Sequence, residues 1–146
     1  MALEKRARWW IVSTHVLTTG FAMPLLAAIL GVAIVVGAGL QGLQAFLLQL
    51  AIQAVGYIGG TYYSLGYLRR SAITDNWRGF IAPSVITFIV LSIMGFAANS
   101  ASFMGSTMAI GILLTYYGAI VLAFIKITAD GFRDLQNQSE AGRSLS

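Results

Sequence analysis

The sequence predicts an all-α integral membrane protein whose four transmembrane helices form two helical hairpins. Hydrophobic residues make up 58% of the chain and charged residues only 10%, whereas soluble domains are about half apolar and about a quarter charged. Uncharged stretches at 9–68 and 79–125 are each long enough for two crossings, since one crossing takes about 20 residues. All basic residues fall at one end of the four predicted crossings.

The first crossing is expected at about 20–38. Pro24 suits a helix start, because its fixed φ matches the helix and its missing N–H leaves no bond unmade there. The preceding segment, 9–19, has two interpretations. It is either a separate interfacial amphipathic helix anchored by Trp9 and Trp10, or the beginning of one long tilted helix kinked at Pro24. We interpret this N-terminal segment as retained in the membrane rather than cleaved.

The remaining crossings are expected at about 43–68, 79–98 and 104–128. The third crossing is expected to begin near Pro83, as the first begins near Pro24. The segments GAGLQG and NSASFMGS separate the two crossings of each hairpin, because small residues suit tight connections better than helix interiors. The polar tail at 134–146 is expected to be a fraying helix end and a disordered terminus. A single membrane domain, 1–146, therefore accounts for the chain.

The nine lysine and arginine residues lie in three groups: before the first crossing, between the second and third, and from the end of the fourth onwards. The two connections on the opposite side carry no charge. Under the positive-inside rule, both termini and the middle connection of this multi-pass protein are therefore expected in the cytoplasm. The pI of about 9.8 reflects this orientation and not nucleic-acid binding, since the sequence contains no groove-reading module.

Short motifs recur in the same order in the two halves of the chain. GFAMP returns as GFIAP, the tripeptide TYY occurs twice, and ITDNWR returns as ITADGFR. We interpret this as a duplicated hairpin, with repeat one at about 20–78 and repeat two at about 79–133. Because both hairpins are expected to enter from the cytoplasmic side, the repeats are parallel and related by an axis along the membrane normal.

Small and polar residues form one stripe on the second crossing and another on the fourth, at helical spacings of three and four. The stripes contain Gln49, Gln53, Gly56, Gly60 and Ser64, and Thr107, Gly111, Thr115 and Gly118. Such stripes let helices approach closely, with polar side chains bonding across the contact, and we expect the two stripes to face each other. The alternative is that they line a pore or a route for a polar solute.

Two tyrosine pairs lie before the basic ends of these crossings: Tyr62 with Tyr63, and Tyr116 with Tyr117. Their hydroxyls need partners, which are expected on neighbouring helices or, alternatively, on a bound ligand. The only histidine, His15, is a weak candidate for binding a cofactor and more typical of a packing or surface residue. The sequence demands no cofactor, and without cysteine it offers no thiolate metal site.

The sequence indicates a non-enzymatic protein, because it contains no catalytic triad, paired buried carboxylates, phosphate loop or zinc spacing. We expect an accessory or scaffolding subunit of a larger membrane protein assembly, in contact with the lipid bilayer and with other subunits or further copies of itself. The alternative function is a homo-oligomeric channel or carrier for a small neutral or weakly charged solute. No nucleic-acid partner is expected.

Overall fold

The structure, a computed structural model, describes residues 2–70, 78–101 and 106–144, with side chains at 9–69, 79–101 and 106–144. Within these ranges the chain is helical and contains no strand. The elements are α1 (Ala2–Leu17), a π-helical turn (Thr18–Ala22), α2 (Met23–Gly37), α3 (Gly42–Arg70), α4 (Arg78–Ala101) and α5 (Thr107–Ser144). The first ITDNWR motif and part of the NSASFMGS connection lie outside the described residues.

In the part of the chain that the structure describes, four helices are long and apolar enough to cross a membrane, which confirms the predicted number of crossings by length and composition. They are Trp9–Gly37, Gly42–Arg69, Gly79–Ala101 and Thr107–Ser144. The last has 38 residues, or about 57 Å at 1.5 Å per residue, whereas the hydrocarbon core is about 30 Å thick. The C-terminal part of α5, which carries all the charges of that helix, therefore extends beyond the bilayer.

The tail was expected to be a fraying helix end followed by a disordered terminus, but the helix is longer than expected, since 134–144 continues α5 to Ser144. Phe132 and Leu135 are buried in the core, so they hold the beginning of the tail against the bundle. Exposed hydrogen bonds follow, including one from Gln136 to Glu140 at 2.9 Å, one turn apart on the helix. Tertiary packing at the start of this segment thus favours a helix that its polar composition did not predict.

The segment before Pro24 is continuous with the first crossing, so it is not a separate interfacial helix. Ile11, Val12 and Val16 of α1 are buried in the bundle. The Met23 N–H donates to the Thr18 carbonyl, five residues earlier, as in a π-helical turn. This wide turn directly precedes Pro24, whose ring and missing N–H disturb the regular helical bonding, and it lets the helix pass the proline without ending.

Pro83 lies inside α4 and not at its start, so the expectation that the third crossing begins there is wrong. The Thr87 hydroxyl donates to the Pro83 carbonyl at 2.8 Å. The proline is therefore followed, one turn later, by a side chain that bonds back to its carbonyl. The helix tolerates this position because neighbouring helices pack around it.

The helices pack as adjacent pairs, α2 on α3 and α4 on α5, with further contacts of α3 with α5 and of α1 with α4. A Cβ atom on Gly31 would meet the Gln49 amide, and one on Gly60 would meet Met23, so α2 and α3 are antiparallel. Among the described side chains, the buried apolar residues form two clusters. The larger contains Ile11, Val12, Val16, Leu65, Leu68, Phe80, Phe88, Ile120, Phe124, Phe132 and Leu135, and the smaller contains Leu50, Leu113 and Tyr117.

The repeated motifs occupy different relative positions in the two helix pairs. In the first pair, Gly60, just before TYY, lies against Met23 of GFAMP. In the second pair, Phe80 of GFIAP packs on Phe132, with ring centroids 6.4 Å apart, whereas Tyr117 of the second TYY lies against Gly95 at the other end of α4. The duplication therefore remains a prediction from the sequence.

Candidate functional site

A buried cluster of hydrogen-bonding side chains joins three helices around His15. The His15 side chain is fully buried, as are those of Ser64 and Thr128. Its Nδ1 atom is hydrogen-bonded to the Ser64 hydroxyl of α3, and its Nε2 atom lies 3.0 Å from the Thr128 hydroxyl of α5. One imidazole on α1 therefore connects the second and fourth crossings.

A neutral imidazole donates from one ring nitrogen and accepts at the other. One of the two hydroxyls, that of Ser64 or that of Thr128, therefore accepts a hydrogen bond from His15 and the other donates one to it. The Ser64 hydroxyl also lies 3.1 Å from the Thr61 carbonyl. The Thr19 hydroxyl, 3.5 Å from that of Ser64, extends the cluster into the π-helical turn.

Ser84 of α4 is a further buried hydroxyl at this level. Phe80 and Phe88 lie one turn on either side of it and pack on Phe132 and Phe124, respectively, so Ser84 faces the level of Thr128. Its oxygen makes no hydrogen bond to the described part of the chain. Ser84 is therefore a buried hydroxyl near the level of the cluster that is not joined to it by a hydrogen bond.

Two phenylalanine rings pack against the His15 ring. The Phe124 ring stacks on His15 with centroids 5.2 Å apart, and the Phe132 ring meets it edge-on at 5.4 Å. Both His15 nitrogens have hydroxyl partners, so neither offers a free lone pair to a metal or pigment. No group of three potential metal-ligating side chains occurs in the described ranges. The arrangement suits hydrogen bonding between helices.

The stripe on α3 packs against α2. The Gln49 amide donates to the Ala28 carbonyl at 3.0 Å. A Cβ atom on Gly56 would lie 2.6 Å from that of Ala27, and one on Gly60 would lie 2.9 Å from that of Met23. Gln53 is half-buried on the same helix. The expectation that this stripe faces the stripe on α5 is therefore wrong, because the small residues of α2 fit it directly.

The stripe on α5 has no contact partner in the described part of the chain. Thr107, Gly111, Thr115 and Gly118 are all exposed, and a Cβ atom on Gly111 or Gly118 would meet nothing within 4 Å. The Thr115 hydroxyl bonds only within its own helix, to the Gly111 carbonyl at 3.0 Å. The opposite face of α5 carries large apolar residues, whose burial contributes more free energy, and that face turns inward.

The four predicted tyrosines do not meet as one ring. Tyr62 and Tyr63 are 61% and 65% exposed, whereas Tyr117 is buried and Tyr116 is half-buried. The Asn99 amide donates to the Tyr117 hydroxyl at 2.8 Å, which ties α4 to α5. Sequence reasoning assigned no role to Asn99.

Two hydroxyl residues of the His15 cluster, Thr19 and Thr128, were also missed by sequence reasoning, as was the buried hydroxyl of Ser84. The sequence does contain a signal for two of these hydroxyls, which is their spacing from phenylalanine residues. Thr128 stands one turn from Phe124 and one turn from Phe132, and Ser84 stands likewise between Phe80 and Phe88. A lone hydroxyl in a row of phenylalanines at four-residue spacing indicates a polar group on the buried face of a helix.

The polar and small side chains of the bundle therefore divide into a closed set and an open set. The His15 side chain and the glycines of the α3 stripe contact other helices of the chain, whereas the α5 stripe is open in the described part of the chain. Comparison of the chain with protein-family models, with curated proteins and with solved structures finds no match.

Proposed function

We propose that this protein is a non-enzymatic scaffolding or accessory subunit that packs against another membrane protein through α5. The open stripe of Thr107, Gly111, Thr115 and Gly118 carries this proposal. Small residues at this spacing let a second helix approach the backbone closely, and the stripe lies on the outside of the described bundle. The comparable positions on α3, Gly56 and Gly60, are already filled by α2.

A channel or carrier is the second candidate, and the contacts of α3 favour it less. Gln49 uses its amide on the Ala28 carbonyl, and Gly60 lies against Met23. These residues therefore hold two helices together, whereas the alternative interpretation placed them along a solute route in a homo-oligomer. A solute route between copies of the chain requires the α5 stripe to join identical subunits. A foreign protein bound at the stripe therefore supports the scaffolding function, whereas a second copy of the chain supports the channel.

The proposed orientation places both termini in the cytoplasm. It is supported by the basic residues beside the ends of the crossings, including Arg69 on α3 and Lys126 on α5, and by the uncharged connections on the other side. In this orientation the C-terminal part of α5 extends into the cytoplasm and would stand beside a cytoplasmic portion of the partner.

The test fills the open stripe without disturbing the bundle. Gly111→Leu and Gly118→Leu place side chains where a Cβ atom meets nothing within 4 Å, and Gly59→Leu is a matched control, because Gly59 is an equally open glycine on α3. The protein is isolated in a mild detergent, and its companions are identified by native mass spectrometry. We expect a foreign subunit with the parent chain and with the control, and at least a tenfold loss with the stripe variants, equivalent to about 1.4 kcal/mol.

Two results would contradict the proposal. A parent chain that is monomeric in the mildest extraction has no partner to scaffold. A closed ring of identical chains that admits solutes into vesicles would establish the channel instead.

A further inference from the structure

A groove with a cavity volume of about 630 Å³ lies between α3 and α5, at the charged end of the bundle. It is lined by side chains from both helices: Tyr62, Leu65, Gly66, Arg69, Ala123, Lys126, Ile127, Asp130, Gly131, Asp134, Leu135 and Gln138. It therefore combines an apolar floor with two cations and two carboxylates. This groove is separate from the α5 stripe and from the His15 cluster.

The groove lies where α5 leaves the bilayer. From Thr107, a helix rising 1.5 Å per residue traverses the hydrocarbon core, about 30 Å thick, by about Lys126. Ala123 therefore lies inside the apolar layer, Lys126 at its boundary and Asp130 outside it. Arg69 of α3 lines the same groove and brings a second cation to it.

The chemical groups follow a definite order along α5. Apolar surface comes first, then the ammonium of Lys126, then the carboxylates of Asp130 and Asp134, one and two turns further on. Lys126 and Asp130 are about 6 Å apart along the axis at 1.5 Å per residue. A phospholipid with a primary amine presents the complementary order: acyl chains, then a phosphate, then an ammonium.

We propose that this groove binds the headgroup of an aminophospholipid, of the phosphatidylethanolamine class, from the leaflet on the side of the chain termini. The phosphate pairs with Arg69 and Lys126, since cationic donors form strong hydrogen bonds with phosphate oxygens. The primary ammonium donates to the carboxylates of Asp130 and Asp134. The acyl chains lie on the apolar floor.

The charges that face the groove make this headgroup the best match. The two cations and the two carboxylates of the groove balance in charge. A lipid headgroup that carries only negative charge would therefore leave the carboxylates of the groove unpaired. A quaternary amine has no N–H to donate to them. Asp130 also lies 3.8 Å from Arg133, but both side chains are largely exposed and such a pair is weak, so Asp130 can exchange it for the ammonium.

The first experiment measures which lipid the full chain retains. The protein is reconstituted in vesicles that mix phosphatidylcholine with equal shares of phosphatidylethanolamine and phosphatidylglycerol, extracted gently, and its bound lipids are counted by native mass spectrometry. We expect severalfold enrichment of phosphatidylethanolamine. The double variant Asp130→Asn/Asp134→Asn should lose it, whereas Glu140→Gln, which removes an acid of α5 outside the groove, should keep it. Equal retention of all three lipids, preference for phosphatidylglycerol, or no retained lipid would overturn the proposal.

A second variant tests the groove by its shape. Gly66→Leu fills the groove from a position where a Cβ atom meets nothing within 4 Å, and Gly59→Leu adds the same side chain to α3 from another open glycine, outside the lining of the groove. We expect Gly66→Leu to displace the bound lipid while its thermal unfolding in phosphatidylcholine matches that of Gly59→Leu, since both changes replace an open glycine of the same helix. Lipid retained by Gly66→Leu would refute the site. Loss of lipid with an intact protein partner separates this proposal from the scaffolding function, which concerns a different face.

Discussion

His15 shows how one polar side chain can connect a membrane bundle. It is the only histidine of the chain, and its two ring nitrogens bond to hydroxyls on two other helices. A buried polar group is stabilising only when its partners are present, and removing one partner leaves the others unsatisfied. The aromatic rings of Phe124 and Phe132 pack against the His15 ring and occupy the space around it.

Replacing His15 by leucine should therefore destabilise the bundle. Hydrogen bonds between membrane helices contribute about 0.6 kcal/mol each on average. The loss of two such bonds and of the Phe124 stacking contact should lower the free energy of unfolding by about 2–3 kcal/mol. The measurement is unfolding by a denaturing detergent in mixed micelles.

The matched control for this measurement is Thr115→Val. The Thr115 hydroxyl bonds only to the carbonyl of Gly111 in its own helix, so this change should alter stability by less than about 0.5 kcal/mol. Equal effects of the His15 and Thr115 variants would show that the cluster contributes nothing between helices.

At the scale of the element, the close approach of α2 and α3 depends on particular glycines. The Cα atom of Pro24 lies 3.1 Å from the position of a Cβ atom on Gly56, and no larger residue fits there unless the helices separate. Gly59, on the same helix, faces open space. Both glycines weaken the helix to the same degree, so the contrast between them isolates the contribution of packing.

Substitution of these two glycines by alanine should have opposite effects. Gly59→Ala should stabilise the protein by about 0.5–1 kcal/mol, because alanine restricts the unfolded backbone more than glycine does. Gly56→Ala should destabilise it by about 1–3 kcal/mol, since the added methyl group overpacks the contact with Ala27. Unfolding midpoints in mixed micelles measure both, and a stabilising Gly56→Ala would disprove the close contact.

At the scale of the whole molecule, orientation follows from the placement of charge along four crossings. The crossings alternate in direction, so the Gly37–Gly42 connection and the Ser106 end of α5 lie on the side opposite the termini. The basic residues beside the other ends, such as Arg69 and Lys126, favour the cytoplasmic side.

Labelling with a membrane-impermeant thiol reagent tests this orientation directly. The chain contains no cysteine, so single-cysteine variants carry no background. We expect Gln41→Cys and Ser106→Cys to react in intact cells, and Ser144→Cys to react only after the membrane is opened. Reaction of Ser144→Cys in intact cells would reverse the proposed orientation, and reaction of only one of the first two would contradict four crossings.

The number and approximate positions of the crossings could be read from the sequence, because the length of an apolar stretch is a local property. The ends of the helices were less predictable from the sequence, because at several of them tertiary packing outweighs the local amino-acid composition. The tail after Phe132 is polar yet helical, since the buried residues at its start hold it against the bundle. Pro24 and Pro83 resembled helix starts, but neighbouring helices let both helices continue through them.

The sequence by itself determined that the chain has enough apolar length for four membrane crossings and that its charges lie at one end of them, since both follow from how many uncharged residues separate charged ones. Only the tertiary structure decided which face of each helix turns inward. Gly56 and Gly111 stand in similar stripes, yet one is buried against α2 and the other is open. Helical spacing shows which residues share a face, but the choice of the buried face depends on what every neighbouring helix offers in competition.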